Sequence, residues 1–180
     1  MTFDSINDAS HLYFITAAIC GWKHVLAESR YAEIVLGSLD WLRRANRMEL
    51  YAFFLMPSHV HMVVKPIDRT IGDLLQDFGS FTAHAILKQL RMGNREDLLG
   101  FFRLESRDPR HEHSIWQDMQ AKNVYSKDFL RQKLDYIHNN ACNKEWRLVE
   151  DRADYRLSSA CYYDLGIVPV IGIDDVRKWL

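Results

Sequence analysis

The chain is poor in the features that staple small folds or export proteins. Only three of its 180 residues are cysteine, at Cys20, Cys142 and Cys161. They are odd in number, scattered, and form no Cys-x-x-Cys, which excludes a disulfide framework and a thiolate zinc site. Reduced thiols in a cytoplasm are the expectation. No apolar run approaches the ~18 residues that a membrane-spanning helix needs. The opening MTFDSINDAS carries acids where a secretory signal would place a basic and then an apolar stretch, so no export is expected. Internal repeats, low-complexity tracts and linkers are also missing, and one domain over residues 1–180 is the expected organisation. Nor is there an excess of charge: the formal net charge is −1, which gives no global basic field. Any contact with nucleic acid would need a local basic face.

What is present reads as globular: 48% of residues are apolar and 26% charged. HLYFITAAI (His11–Ile19) is rich in β-branched and aromatic residues and predicts a strand. In residues 31–46, Ile34, Val35, Leu39 and Leu42 recur at helical spacing, and Arg43, Arg44 and Arg47 suit the negative end of that helix's dipole. MELYAFFLM (Met48–Met56) and HVHMVVKP (His59–Pro66) read as two strands, with Pro57 and Ser58 as a tight hairpin or bulge between them. Thr70 to Met92 predicts a helix, softened at Gly79 and ended by Gly93 as the residue after the cap. Residues 94–116 mix charges around Pro109 without sustained periodicity and read as a long loop, with room for a short hairpin. Ser126 is a candidate N-cap for the helix KDFLRQKLDYIHNN, and in the tail, from about residue 158, IVPVIGI (Ile167–Ile173) reads as a short edge strand. Together these elements predict an α+β layer, helices against an antiparallel sheet.

The residues that could carry chemistry are few. On a strand, side chains alternate, so His59 and His61 would project from one face and Val60 from the other. Two imidazoles so placed could share a metal ion. Alone, the spacing is weak: eight histidines give about 0.3 such pairs by chance. The pair reads equally as metal ligands or as half-buried rings making ordinary hydrogen bonds. A second pair, His111 and His113, falls in the charged loop and reads as solvated. Tyr136 and Asn140 are four apart, one above the other on a helix beside the apolar stripe of Leu130, Leu134 and Ile137. An amphipathic tyrosine and a helix-terminating asparagine would look the same.

Order and combination add what each piece lacks. LMPSHVHMVVKP (55–66), IWQ (115–117), LDYIHNN (134–140) and DYRLSSA (154–160), with LYFITA near the start, resemble the single-tyrosine HUH transposases. The likeness is to the REP-associated branch and touches most of residues 11–165. One departure is Ala141-Cys142, where the family commonly has Pro-Val. The resemblance implies a ferredoxin-like α+β fold and cleavage of single-stranded, hairpin-associated DNA. It makes Tyr136 the nucleophile of a 5′-phosphotyrosine intermediate, and His59, His61 and Asn140 the ligands of a divalent metal, Mg²⁺ or Mn²⁺. The mixed nitrogen and oxygen set suits Mn²⁺ chemically. Relatives occur as monomers, and as homodimers in which the tyrosine helix serves the partner's histidines; the sequence leaves both open.

The chemistry is consistent with those residue types. A tyrosine hydroxyl, with a pKa of about 10, is a weak nucleophile near neutral pH, and a phosphodiester repels an incoming oxyanion. A divalent ion that polarises the phosphoryl oxygens answers the second difficulty. Tyr125, Tyr162 and Tyr163 compete for the role, but only Tyr136 has an amide one turn on. In the charged loop, Arg91, Arg95, Arg103, Arg107 and Arg110 with Phe101 and Phe102 could order on DNA, or simply form a solvated mixed-charge face. Two other functions compete. A hairpin-binding protein without cleavage would share the fold, while a His-x-His barrel hydrolase would need about 250 residues.

Overall fold

The computed structural model describes residues 11–106 and 112–180. In chain order the strands are β1 (Leu12–Ile19), β2 (Met48–Leu55), β3 (His59–Pro66) and β4 (Trp116–Val124). The helices are α1 (Ser29–Arg44), α2 (Ile71–Met92), α3 (Glu96–Leu104), α4 (Lys127–Asn139) and α5 (Ala160–Leu165). The sheet order is β2-β3-β1-β4, with every pair antiparallel. This is the β-α-β-β-α-β ferredoxin-like arrangement, with α3 added before β4 and α4 after it. No helix among the described residues is long and apolar enough to cross a membrane.

The central strands β1 and β3 are buried on both faces because each face has its own cover. On one face Tyr13, Ile15, Val60, Met62 and Val64 pack with α1 and α2 through Leu39, Phe78 and Ile86. On the other, Phe14, Val63 and Phe54 pack with Leu130, Leu134 and Ile137 of α4. Alternation along β3 therefore sends His59, His61 and Val63 towards α4. Helix ends follow the local chemistry. Thr70 and Asp73 form a reciprocal capping box at α2, and Ser126 Oγ accepts from Phe129 N at 3.1 Å at the start of α4.

Four expectations need correction. The first part of the 94–116 segment is not a loop: α3 occupies Glu96–Leu104, burying Leu99 and Phe102 on one side. Its nine residues are too few for a visible period amid so many charges. Arg95 pairs with Glu28 and Asp97, and Arg103 with Glu112, so these side chains and Phe102 belong to the fold. Arg107 and Arg110 lie outside the described residues. β4 was hidden because it is an edge strand, WQDMQAKNV, with few apolar positions. Gly79 does not soften α2. A Cβ there would lie 2.7 Å from Met119 Cε, so its absence lets β4 approach the helix. At the helix end Gly93 keeps φ −87°, and Asn94 takes the left-handed conformation at φ 50°.

The fourth correction concerns the tail. Ile167–Ile173 forms no strand; Ile167, Val168 and Val170 are exposed. The free edge of β2 is covered instead by tail side chains together with a few tail backbone bonds, including a bridge between Phe54 and Ser158. Tyr155 Oη donates to Leu55 O at 2.8 Å, and Leu55 N donates to Leu157 O at 2.8 Å. Ser159 Oγ accepts from Phe53 N at 3.1 Å and bonds Phe53 O at 3.2 Å. Tyr163 Oη donates to Tyr51 O at 2.5 Å. Asp174 accepts from Leu50 N at 2.9 Å while gripping Arg43 through two 3.0 Å bonds. Arg43 is thus a tail anchor and not only a dipole complement. Such cover blocks edge-to-edge pairing. We predict that Ser159→Ala lowers stability by about 1–3 kcal/mol, because it orphans a buried N–H. The exposed cap substitution Ser126→Ala should cost about 1 kcal/mol. Urea denaturation measures both, and equal midpoints for Ser159→Ala and wild type would refute the role assigned to the tail.

Candidate active site

β3 fixes both imidazoles. The rings of His59 and His61 lie side by side, centroids 4.7 Å apart, edge to face. Each is held through Nδ1: His59 meets Ser58 Oγ at 3.1 Å, and His61 meets Thr16 Oγ1 at 2.9 Å. Thr16 stands opposite His61 in the β1–β3 register. In the tautomer where Nδ1–H donates to these oxygens, Nε2 of each ring carries the free lone pair. Burial pushes the His59 pKa down to about 4. Burial, with the nearby His59 and Lys133 charges, pushes His61 down to about 3. Both rings are therefore neutral at physiological pH, the state in which an imidazole can donate to a metal.

α4 brings Tyr136 to the pair. Its ring lies 5.3 Å from that of His61 and 6.0 Å from Phe14, which in turn stacks on His61 at 5.5 Å. Tyr136 is 48% exposed, whereas the histidines are 8% and 4% exposed. A buried pair thus sits beneath an accessible hydroxyl-bearing ring, within one chain. Asn140 follows one turn later as the cap of α4. Its Nδ2 donates to Tyr136 O at 2.8 Å, which locks the amide to the tyrosine's own backbone and leaves Oδ1 as an acceptor. No hydrogen bond among the described residues joins Asn140 to either imidazole. The structure therefore groups Tyr136, His59 and His61 directly, and holds Asn140 one turn along α4 from Tyr136.

Among the described residues no group of three or more His, Cys, Asp and Glu could hold a metal ion. The donors available here are two imidazole nitrogens and an amide oxygen, which fits a site that completes its shell from substrate and water. Aromatic walls close the rest. Trp22 lies edge-on to His59 at 5.2 Å, and Trp146 lies 6.3 Å from it. Gly21 and Trp22 both take positive φ, 61° and 53°, to turn that indole over the site. Neither tryptophan was foreseen, since both approach from loops. Thr16 required the strand register, while Ser58 was adjacent in sequence and readable.

The competing residues go elsewhere. His138 is buried away from Tyr136, with Nε2 2.9 Å from Ser159 Oγ, and burial takes its pKa down to about 4. His113 is not solvated: its side chain is only 3% exposed, 3.6 Å from Glu112, and His111 lies outside the described residues. His113 lines a groove of about 740 Å³ between α2 and β4 on the opposite face of the sheet, which includes none of the four candidate residues.

The fold is shared with a known protein. A REP-associated tyrosine transposase, solved bound to a REP hairpin, aligns with TM-score 0.65 and 15% identity over 98% of this chain and 93% of that one. A candidate transposase from Deinococcus radiodurans R1 aligns at 20% identity over 71% of this chain and 88% of its own, with TM-score 0.47, too loose to carry an argument. No protein-family model and no curated protein matches the chain.

The histidine burial has a testable consequence. A histidine whose folded pKa lies below the unfolded value of about 6.5 makes the unfolded chain bind more protons between the two values. Stability must therefore rise with pH from about 3 to 6.5 and be lost on acidification. At pH 5 the loss is about 2 kcal/mol for each of His59, His61 and His138. Urea titrations at pH 7 and pH 5 should show it, and the double variant His59→Asn/His61→Asn should show a smaller drop. Identical stabilities at both pH values would contradict the neutral, buried state of the rings.

Proposed function

We propose that this protein is an HUH-type, metal-dependent enzyme that cuts and rejoins single-stranded, hairpin-associated DNA through Tyr136. The observation that carries the reading is the meeting, within one chain, of two Nδ1-tethered histidines on β3 with an exposed tyrosine on α4. The shared fold with a REP-associated tyrosine transposase bound to a REP hairpin supports it. His59, His61 and Asn140 would hold Mg²⁺ or Mn²⁺, which when bound polarises the phosphoryl oxygens of the substrate.

The remaining work belongs to the chain's own residues. Tyr136 Oη attacks phosphorus, the P–O3′ bond breaks, and the leaving 3′ oxygen takes up a proton as the tyrosine loses one. The product is a 5′-phosphotyrosine and a free 3′-hydroxyl. One phosphoester replaces another, so a second 3′-hydroxyl can reverse the step and rejoin ends without an external energy source. Asn140 is bonded to the tyrosine's own carbonyl, so that nucleophile and ligand oxygen move as one turn of helix. Because Tyr136 is about half exposed, a polymer strand can reach its ring from solvent.

The test is a denaturing gel of protein with a labelled single-stranded hairpin in the presence and absence of Mn²⁺. Wild-type protein should yield a shifted covalent band. Tyr136→Phe should abolish that band while leaving binding nearly intact, because it removes one oxygen and keeps the ring. His59→Ala and His61→Ala should lower the band about 10²-fold or more and recover partly in excess Mn²⁺; Tyr136→Phe should not recover. Binding by wild type with no adduct under any metal would favour a non-cleaving hairpin-binding protein. A wild-type level of adduct from Tyr136→Phe would remove Tyr136 from the mechanism.

A further inference from the structure

Beside Tyr136, the seam between β4 and α4 carries a row of groups that the fold does not need in that form. Tyr125 stacks on Phe129, ring centroids 4.9 Å apart and planes within 13°. A tyrosine just before a helix cap ordinarily closes the helix end by burying itself. Tyr125 instead is 78% exposed, so one face of its ring rests on Phe129 and the other is open. Next along the helix, the Lys133 ammonium lies 5.0 Å from the Phe129 ring centre, 4.7 Å from that of Phe14 and 5.4 Å from that of Tyr136. Lys122 stands opposite Phe14 in the β1–β4 register, on the same face of the sheet.

The Lys122 and Lys133 charges act on each other across this seam. Among the described residues neither has a carboxylate partner, although other cations on α4 and the tail do, such as Arg131 with Asp128 and Arg152 with Asp164. Lys133 is half-buried, and its pKa is lowered by that burial and by the Lys122 charge. A partly desolvated ammonium repelled by a second one is costly unless an anion joins them. The anion that fits is one that also offers a flat ring to Tyr125 and leads to the hydroxyl of Tyr136. A nucleic-acid single strand has that chemistry: backbone phosphates at intervals and bases with open π faces. Phe129 and Tyr136 are seven residues apart, or about 10 Å along the helix axis, a span of a few nucleotides.

We propose that this seam is the track on which the unpaired DNA flanking the hairpin lies as it enters the site, with Tyr125 stacking on a base and Lys122 and Lys133 holding backbone phosphate. The inference rests on the DNA-processing function proposed above and assigns the path of the substrate, which that function leaves open. It also gives Lys133 a reason to lie against the tyrosine ring: a phosphate held there is delivered beside Tyr136.

Two labelled hairpins separate the ideas, one with unpaired extensions on both sides and one trimmed flush. Fluorescence anisotropy in EDTA reports binding without cleavage. Wild type should bind the extended hairpin more tightly. Tyr125→Ala should weaken that complex about tenfold, the scale of one lost base stack, with little effect on the flush hairpin. Tyr125→Phe keeps the π face and should bind like wild type. The double variant Lys122→Gln/Lys133→Gln should lower the slope of log affinity against log salt by about 1.4, the value for two single-strand phosphate contacts, with circular dichroism checking that it folds. If wild type binds the extended hairpin and Tyr125→Ala binds it equally well, or loses both hairpins alike, the track is wrong and the proposed function stands. If wild type binds neither hairpin, both fall together.

Discussion

β3 must serve two masters, and the rest of the molecule is arranged around that conflict. It lies inside the sheet between β2 and β1, so both of its faces are covered. One face is wholly apolar through Val60, Met62 and Val64, while the other carries two imidazoles into nearly the same degree of burial. Polar groups in such a place need hydrogen bonds or must be neutral. Both conditions are met. Thr16 and Ser58 hold the Nδ1 atoms, and burial removes the protons that would charge the rings. The result is a pair of oriented, neutral, nitrogen-bearing rings that cannot turn away from α4.

The tyrosine helix is positioned from its other side. His138, two residues beyond Tyr136, faces inward and meets Ser159, whose hydroxyl is bonded to both backbone groups of Phe53 on β2. One buried contact therefore ties α4 to the sheet edge through the tail. The tail's side chains along β2 are in this sense part of the site: they close the sheet and set the height of the helix that presents Tyr136. Asn140 adds a second constraint at the helix end by clasping the Tyr136 carbonyl. Between them the two contacts hold the accessible ring of Tyr136 against the buried ring of His61.

Much of this was legible in the sequence where a single period governs a segment. The alternation of HVHMVV placed both histidines on one face, and the spacing of Tyr136 and Asn140 placed them one turn apart. β1, α1, β2, β3, α2 and α4 were each readable for the same reason. What escaped were elements whose residues answer to neighbours distant in sequence. β4 is an edge strand with polar positions on an exposed side, and α3 is short and crowded with charges that pair elsewhere. The tail looked like a strand because Ile167–Ile173 is apolar, yet β2 is satisfied by Ser159, Tyr163 and Asp174, side chains whose reach no local pattern encodes. Trp22 and Trp146 reach the site from loops, and His113 is buried by residues that only the fold brings near it.

The central claim is that a strand of DNA becomes joined to one particular oxygen. Digestion of the protein–oligonucleotide adduct with nuclease and trypsin, followed by tandem mass spectrometry, locates that oxygen directly. The account predicts a nucleotide attached through its 5′ phosphate to Tyr136, on the peptide containing LDYIHNN. A nucleotide on Tyr125, Tyr162 or Tyr163, or one attached through a 3′ phosphate, would contradict it.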